Sequence, residues 1–266
     1  MNAAEAGPVV DVRRDGPVWT ITLNRPERRN AINPRLQAEL VAALAEFDTA
    51  DEARVAVLTG ADPAFCAGMD LRELGSGSMG YDDSQTNYAT AMRALGKPVI
   101  GAINGPAVAG GFELALACDF LIASDRAWFA DSHAEVGVVP GGGLTVHLAQ
   151  AVGVRRARQI SLTGEYVSAD RAFQDGLVTE VLPHDELIAR AWAIAATIAG
   201  RGEHMVKALR DAYDRSLNLP AEEALDAEAV ASRAVGIPTG HVHGVADRLI
   251  SRGSTTTSAA TGEGQA

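Results

Sequence analysis

Glu113 is the only charged side chain in residues 106–118, a stretch that is otherwise apolar. A helix that is apolar on every side is expected to be buried, and a lone carboxylate inside it is costly without partners. Gly110 and Gly111 allow close approach to the backbone and leave free N–H groups at the helix start, where partial positive charge collects. Donors for a developing anion beside a carboxylate predict an active site. The alternative is a first-turn glutamate that only offsets the helix dipole, worth about 0.3–1 kcal/mol.

The elements around this stretch alternate between strands and helices. Residues Val9–Arg14 and Val18–Leu23 alternate apolar and polar side chains around an Asp-Gly pair, which is typical of a hairpin. Residues 100–119 have the pattern of a buried strand, a Gly-Pro turn and a helix. Beyond about residue 182 the pattern becomes helical only. This order predicts an α/β core with a helical appendage.

Composition limits the classes of function. The chain has 266 residues, of which 47% are hydrophobic, and this is enough for a sizeable core. The net charge of −11 argues against binding to nucleic acid or to an anionic membrane. The six histidines are dispersed and show no metal-ligand spacing, so we expect no metal site.

The two cysteines and the N-terminus indicate the compartment. Cys66 and Cys118 are too few for a disulfide framework and lie among apolar residues, so we expect reduced core thiols. The first residues contain no apolar h-region, and polar residues interrupt the most apolar region, 98–123. We therefore expect a cytoplasmic protein with neither a signal peptide nor a membrane span.

Five segments in this order resemble the crotonase family, also called the enoyl-CoA hydratase/isomerase superfamily. They are NRPERRNAIN at Asn24–Asn33, AFCAGMDL at Ala64–Leu71, INGPAVAGGFELALACD at Ile103–Asp119, VGVVPGGG at Val136–Gly143, and the segment Ser161–Pro183. Each motif alone is modest evidence, whereas all five in the right order leave little room for coincidence.

The resemblance implies a particular architecture and ligand. It implies a spiral of repeated ββα units with C-terminal helices that drive trimer formation, and trimers that pair into hexamers. We predict a crotonase-like core at 1–200, a helical region at 201–252 and a disordered tail at 253–266, which is rich in small and hydroxyl residues. The implied partner is an acyl-CoA thioester, so coenzyme A belongs to the substrate and no separate cofactor is expected.

The resemblance also assigns binding roles. The backbone N–H groups of Met69 and Gly110 match the oxyanion hole for the thioester carbonyl, where one donor is typically worth about 2.7–4 kcal/mol. Arg28 is the best candidate for the CoA phosphates, with Arg25 and Arg29 as alternatives, although a solvated turn would also explain three arginines. The remaining candidates for CoA or acyl contacts are Ala67, Gly68, Met69, Asp70, Leu71 and Val136.

The catalytic positions include a departure from the family. Hydratases of this family use two glutamates, of which the first matches Glu113. The second is expected seven residues before Pro140, where this chain has His133. His133 is either the second acid/base group, a residue that lines the pocket or binds Glu113 without proton transfer, or a structural residue. Asp131 and Glu135 flank it two residues away, out of register.

The resulting prediction is an enoyl-CoA hydratase that adds water across a 2-enoyl-CoA. The runner-up is a double-bond isomerase, because one base can move a proton between C2 and C4. Thioester hydrolysis is a weaker option. A non-catalytic acyl-CoA-binding protein is the alternative from another class, favoured by the missing second glutamate.

Overall fold

The computed structural model describes residues 7–75, 87–217 and 219–236. A large sheet has the strand order β1-β2-β3-β4-β6-β9, and a small sheet has the order β5-β7-β8. The strands are β1 Val10–Asp15, β2 Val18–Leu23, β3 Val55–Gly60, β4 Val99–Ile103, β5 Ala107–Val108, β6 Phe120–Ser124, β7 Trp128–Ala130, β8 Val167–Ser168 and β9 Glu180–Leu182. The pair β1–β2 is the predicted hairpin and is antiparallel, whereas the rest of the large sheet is parallel.

Helices connect and cover the strands. They are α1 Pro34–Thr49, α2 Leu71–Gly75, α3 Tyr88–Ala94, α4 Gly110–Leu116, α5 His133–Val136, α6 Leu144–Val152, α7 Val154–Thr163, α8 Ala169–Gln174, α9 Leu187–Ala199, α10 Glu203–Ser216 and α11 Ala221–Val235. Short 3-10 turns lie at Pro26–Arg28 and His184–Glu186. The mixed α/β class is therefore as predicted.

The central strands of the large sheet are buried on both faces. Strand β3 is buried along its whole length, as expected of a central parallel strand. On one face lies α1, whose buried stripe follows helical spacing and whose start is capped by Asn33, which accepts the N–H of Leu36 at 2.8 Å. On the other face, Leu187, Ala191 and Ala195 of α9 pack on the sheet. This two-sided packing fixes the strand ends from which the site is built.

A ββα repeat is visible along the core. Strand β4 of the large sheet is followed by β5 of the small sheet and then by α4, and the same order recurs in β6, β7 and α5. After β3, Cys66 forms a bridge to Ala107 of β5 and so takes the place of a strand in the small sheet before α2. Each repeat therefore carries the chain from one sheet to the other.

The chain divides into two compact units, Met1–Lys207 and Ala208–Ala266. The described part of the second unit consists of the end of α10 and of α11. The predicted tail at 253–266, and residues 237–252 of the predicted helical region, lie outside the described residues. Among the described residues, no helix is both long and apolar enough to cross a membrane.

Candidate active site

Two backbone segments cross at the small sheet and form one side of the site. The N–H of Cys66 donates to the carbonyl of Pro106, and the N–H of Val108 donates to the carbonyl of Cys66, both at 3.0 Å. A Cβ atom on Gly111 would lie 2.1 Å from the Cys66 oxygen, so only glycine permits this approach. The crossing therefore sets the start of α4 directly against the loop at 66–69.

The predicted oxyanion donors, Met69 and Gly110, lie close together at this crossing. A Cβ atom built on Gly110 would be 3.6 Å from the backbone nitrogen of Met69. Among the described residues, neither of these two backbone N–H groups donates a hydrogen bond to another group of the protein. Because a buried N–H normally has a partner, two such groups side by side form a site that suits an incoming carbonyl oxygen.

Ala109, just before these donors, has φ 47° and ψ −114°. A non-glycine residue with positive φ costs about 1–3 kcal/mol and persists only where its surroundings impose it. Here the N–H of Ala109 donates to the Ala130 carbonyl at 3.0 Å, and its carbonyl accepts the N–H of Glu113 at 2.9 Å. These two bonds hold the turn that aims the N-terminus of α4.

The carboxylate of Glu113 lies one helical turn beyond Gly110 and is buried, with 4% of its surface exposed. The N–H of Gly142 donates to its Oε1 at 2.6 Å. The hydroxyl of Tyr88 lies 3.3 Å from its Oε2 and 3.2 Å from the carbonyl of Gly110. The predicted burial of this glutamate is therefore confirmed, and its partners come from α3 and from the 141–143 loop.

His133 begins α5 and is also buried, with 6% exposed. Its Nε2 lies 3.8 Å from Oε2 of Glu113, which is beyond hydrogen-bond distance but within reach of a small movement. Its Nδ1 lies 2.6 Å from Oδ1 of Asp131. Because a carboxylate only accepts, Nδ1 carries the proton in this contact. The structure thus brings His133 against the buried glutamate, which suits both an acid/base role and binding to Glu113 without proton transfer.

Asp131 lies out of register with the family's second glutamate in the sequence, but the structure places it against the His133 ring. It is 1% exposed, and its Oδ1 accepts both the ring Nδ1–H and, at 3.1 Å, the backbone N–H of His133. Burial by itself raises the pKa of Asp131, but the bonds from His133 and from the Ser161 hydroxyl outweigh it and leave the pKa below its usual value. Asp131 is therefore charged at neutral pH.

The predicted CoA segment, Ala67–Leu71, is paired with the arginine-containing loop. The Ile32 N–H donates to the Gly68 carbonyl at 2.7 Å, and the Asp70 N–H returns a bond to Ile32 at 2.8 Å. Arg25 is buried in an ion pair with Asp70 at 3.4 Å, so it supports the loop. Arg28 and Arg29 remain exposed beside it. The structure therefore favours these two over Arg25 for contact with phosphates.

The remaining candidates differ in exposure. Leu71 and Val136 are exposed, at 61% and 42%, whereas Gly68 is buried and Ala67, Met69 and Asp70 are half-buried. Cys66 is free and buried, and burial raises its pKa to about 12, which argues against a thiol nucleophile. No group of three metal-ligating side chains occurs within residues 7–75, 87–217 and 219–236.

Comparison with known proteins agrees with this geometry. The family model for enoyl-CoA hydratase/isomerase matches residues 13–235. The probable enoyl-CoA hydratase 1, peroxisomal, of Arabidopsis thaliana is 36% identical over 222 residues, which are 83% of this chain and 84% of that protein.

Solved structures give the same result. A crystal structure of an enoyl-CoA hydratase from Mycobacterium avium is 47% identical, with a TM-score of 0.72 over 85% of this chain and 96% of that chain. One from Bacillus anthracis is 35% identical, with a TM-score of 0.77 over 84% of this chain and 89% of that chain. The predicted crotonase fold is thereby confirmed, and this chain belongs to the enoyl-CoA hydratase/isomerase family.

Proposed function

We propose that this protein is an enoyl-CoA hydratase. The observation that carries the proposal is the pairing of two buried acid/base side chains, with Oε2 of Glu113 3.8 Å from Nε2 of His133, beside the donors of Met69 and Gly110. Hydration must handle two protons, one leaving water and one arriving at carbon. Two adjacent acid/base groups suit this need better than they suit an isomerase, which requires one base.

The proposed reaction follows from these groups. The thioester oxygen accepts hydrogen bonds from the N–H groups of Met69 and Gly110, and these bonds stabilise the enolate that forms. Glu113 takes a proton from water. At the same time the water oxygen bonds to C3, and the C2–C3 π electrons move toward the carbonyl. The enolate then collapses as C2 receives a proton from His133. Coenzyme A enters and leaves as part of the substrate, and no other cofactor is proposed.

The CoA portion is proposed to lie along Ala67–Leu71, with Arg28 near the phosphates. The pairing of this segment with the loop that carries Arg28 supports the proposal, because it places exposed guanidinium groups beside the segment. Val136, which is exposed at the end of α5, is proposed to line the acyl pocket.

A trimer, or a dimer of trimers, in the cytoplasm is proposed as the working form. Helices α10 and α11 contain no buried residue. Their exposed apolar side chains include Leu209, Tyr213, Leu225 and Val230. Such side chains suit burial against other subunits, in agreement with the oligomers of the family.

The test follows the loss of the conjugated enoyl absorbance of crotonyl-CoA and of longer 2-enoyl-CoA substrates. Replacing Glu113 by Gln should lower kcat by about 10²–10⁴-fold, because the acid/base group is lost. The control is Glu135→Gln, the same change at an exposed carboxylate, which should leave kcat within about twofold. Wild type and Glu113→Gln that are equally inert at every chain length would refute the hydratase proposal.

Two further measurements separate the alternatives. Product analysis with a 3-enoyl-CoA would reveal an isomerase through formation of the 2-enoyl product without hydration. Calorimetry that shows tight acyl-CoA binding, together with no turnover on a broad thioester panel, would instead identify a non-catalytic binder.

A further inference from the structure

His133 lies between two buried carboxylates that face different ring nitrogens. Asp131 lies 2.6 Å from Nδ1, and Oε2 of Glu113 lies 3.8 Å from Nε2. The nitrogen facing Asp131 is committed to a hydrogen bond, so Nε2 is the nitrogen that can exchange a proton with a substrate.

We infer that Asp131 is a positioning residue that binds Nδ1–H of His133 and turns Nε2 toward Glu113, so that the imidazolium form of His133 is the acid that protonates C2. This inference rests on the proposed hydratase function and assigns the acid and the base within it. An Asp-His pair in this chain would thereby do the work of a second carboxyl group.

The partners of each group support this assignment. A carboxylate next to an imidazole favours the imidazolium, and donors directed at a carboxylate favour its ionised form. Asp131 supplies the first condition. The Gly142 N–H at 2.6 Å and the Tyr88 hydroxyl at 3.3 Å supply the second for Glu113. Glu113 is therefore suited to accept a proton and His133 to give one.

The other groups facing this pair come from four elements. The Ser161 hydroxyl on α7 bonds to Asp131, Tyr88 lies on α3, and Glu113 lies on α4. The Gly142 N–H comes from the loop before α6. Among these contacts of the described residues, Asp131 and Glu113 are the two negative charges acting on His133.

Proton movement closes a cycle in this arrangement. Water gives its hydroxyl group to C3 and its other proton to Glu113, the thioester becomes an enolate, and Nε2–H of His133 protonates C2. Glu113 then returns its proton to the neutral Nε2, across a gap that a small side-chain movement closes from 3.8 Å. Each turnover consumes one water and leaves both groups in their starting states.

The main test is a double-mutant cycle with Asp131→Asn, His133→Ala and the double variant. Asn keeps the shape and can still accept a hydrogen bond, but it carries no charge and can also donate to Nδ1 and stabilise the other tautomer. Asp131→Asn alone should lower kcat by about 10²-fold. In the His133→Ala background, Asp131→Asn should lower kcat by less than about twofold, because a residue that acts through His133 then has no side chain left to position.

The pH profile of kcat/KM distinguishes positioning from a purely structural role. Loss of the Asp131 charge disfavours the imidazolium, so the acid form of His133 disappears at a lower pH. The alkaline limb of the profile should therefore move to lower pH. If His133 were the base instead, the same substitution would move the acid limb to lower pH and leave the alkaline limb in place.

Asp175→Asn is the matched control. Asp175 also has a pKa below its usual value, because bonds from Arg171 and Arg156 outweigh the effect of burial. It lies at the end of α8 in an ion-pair cluster. The control should lower thermal stability without moving the alkaline limb. Ser161→Ala is a milder variant if Asp131→Asn does not fold; it keeps the Asp131 charge but removes a donor from it, so the limb should move slightly to higher pH, opposite to the effect of Asp131→Asn.

Nitrogen-15 NMR of the His133 ring gives a readout that does not require turnover. Wild type should carry its proton on Nδ1 when neutral, and Asp131→Asn should lose this preference and titrate at lower pH. An unchanged ring titration, or an equal loss of kcat in the His133→Ala background, would overturn the inference. An inert wild type would refute the hydratase and the acid role together, while the ring titration would still decide whether Asp131 controls His133.

Discussion

The two sides of the candidate site are built in different ways. The donor pair, the N–H groups of Met69 and Gly110, belongs to the backbone and is fixed where two segments cross at the small sheet. The acid/base cluster consists of the side chains of Glu113, Asp131, His133 and Tyr88. Its members come from three helices and the turn after β7. The donor pair depends on a close approach of two backbone segments, and the acid/base cluster depends on where its side chains are placed.

This difference predicts different sensitivities to mutation. A backbone donor cannot be removed by truncating a side chain, so it is disturbed only when a new atom forces the segments apart. A side-chain acid or base is lost by one conservative substitution while the fold remains. Substitutions on the donor side should therefore affect stability and activity together, whereas those in the cluster should affect activity with little loss of stability.

The largest combined loss of stability and activity is expected for Gly111→Ala. The new Cβ would lie 2.1 Å from the Cys66 carbonyl oxygen and 2.7 Å from its carbon, so the two backbones must separate. Overpacking of this kind costs typically about 1–3 kcal/mol or more, and loss of one donor lowers kcat by about 10²–10³-fold. Thermal melting and crotonyl-CoA kinetics measure both effects.

The stability control for that variant is Gly110→Ala. Its Cβ would meet the Tyr88 hydroxyl at 3.3 Å and no backbone atom closer than 3.6 Å. It should therefore lower Tm much less than Gly111→Ala does. Equal losses of Tm would show that the backbone crossing is not as tight as these distances indicate.

An intermediate effect is expected for Gly142→Ala, which reaches the acid/base cluster from the loop. Its Cβ would lie 2.9 Å from Cδ of Glu113, so the carboxylate must move. Misplacement of a reacting group by about 1 Å costs up to about 10²-fold, and we expect a loss of kcat of about 10–100-fold with a small change in Tm.

Gly200→Ala is the control for this loop variant, because its Cβ makes only ordinary contacts, the nearest at 3.5 Å. It should change neither kcat nor Tm by a measurable amount. Full activity of Gly142→Ala would contradict the idea that the loop fixes the Glu113 carboxylate.

The smallest effect is expected for Tyr88→Phe. The lost hydroxyl sits at 3.3 Å from the Glu113 carboxylate, a long hydrogen bond. The loss of kcat should be about 3–10-fold. This effect is smaller than the ~1.5–3 kcal/mol that a hydrogen bond to a charged group typically contributes. Tyr166→Phe, at an exposed tyrosine, should leave kcat unchanged. A loss above 10²-fold for Tyr88→Phe would mean that its hydroxyl takes part in the reaction directly.

The sequence was most informative where function depends on a short contiguous motif. Gly110 and Glu113 are three residues apart, so one turn of helix places them together whatever surrounds them. The burial of Glu113 also followed from its apolar neighbours, and the structure confirms it. The α/β class followed from the alternation of strand and helix patterns, and the hairpin at the start from its Asp-Gly turn.

The sequence was least informative about the partners of those residues. Tyr88 is 25 residues from Glu113 and Gly142 is 29, and no local pattern links them. Asp131 lies only two residues from His133, but its position in the chain is out of register with the family's second glutamate. Its role depends on a turn in which an aspartate binds the backbone and the ring of the residue two positions on.

The sequence alone therefore determined the α/β class and the buried glutamate, because these depend on local patterns of residue types, and the resemblance of its motifs implied the family and the candidate donor pair. Only the tertiary structure decided that His133 faces Glu113, that Asp131 holds the other side of its ring, and that Arg25 is buried against Asp70. The reason is physical: contacts between distant segments arise from how sheets and helices pack, which spacing along the chain does not encode. The apolar helix beginning at Gly110 illustrates both cases. Its residue types are evident in the sequence, whereas the partners of Glu113 come from distant segments.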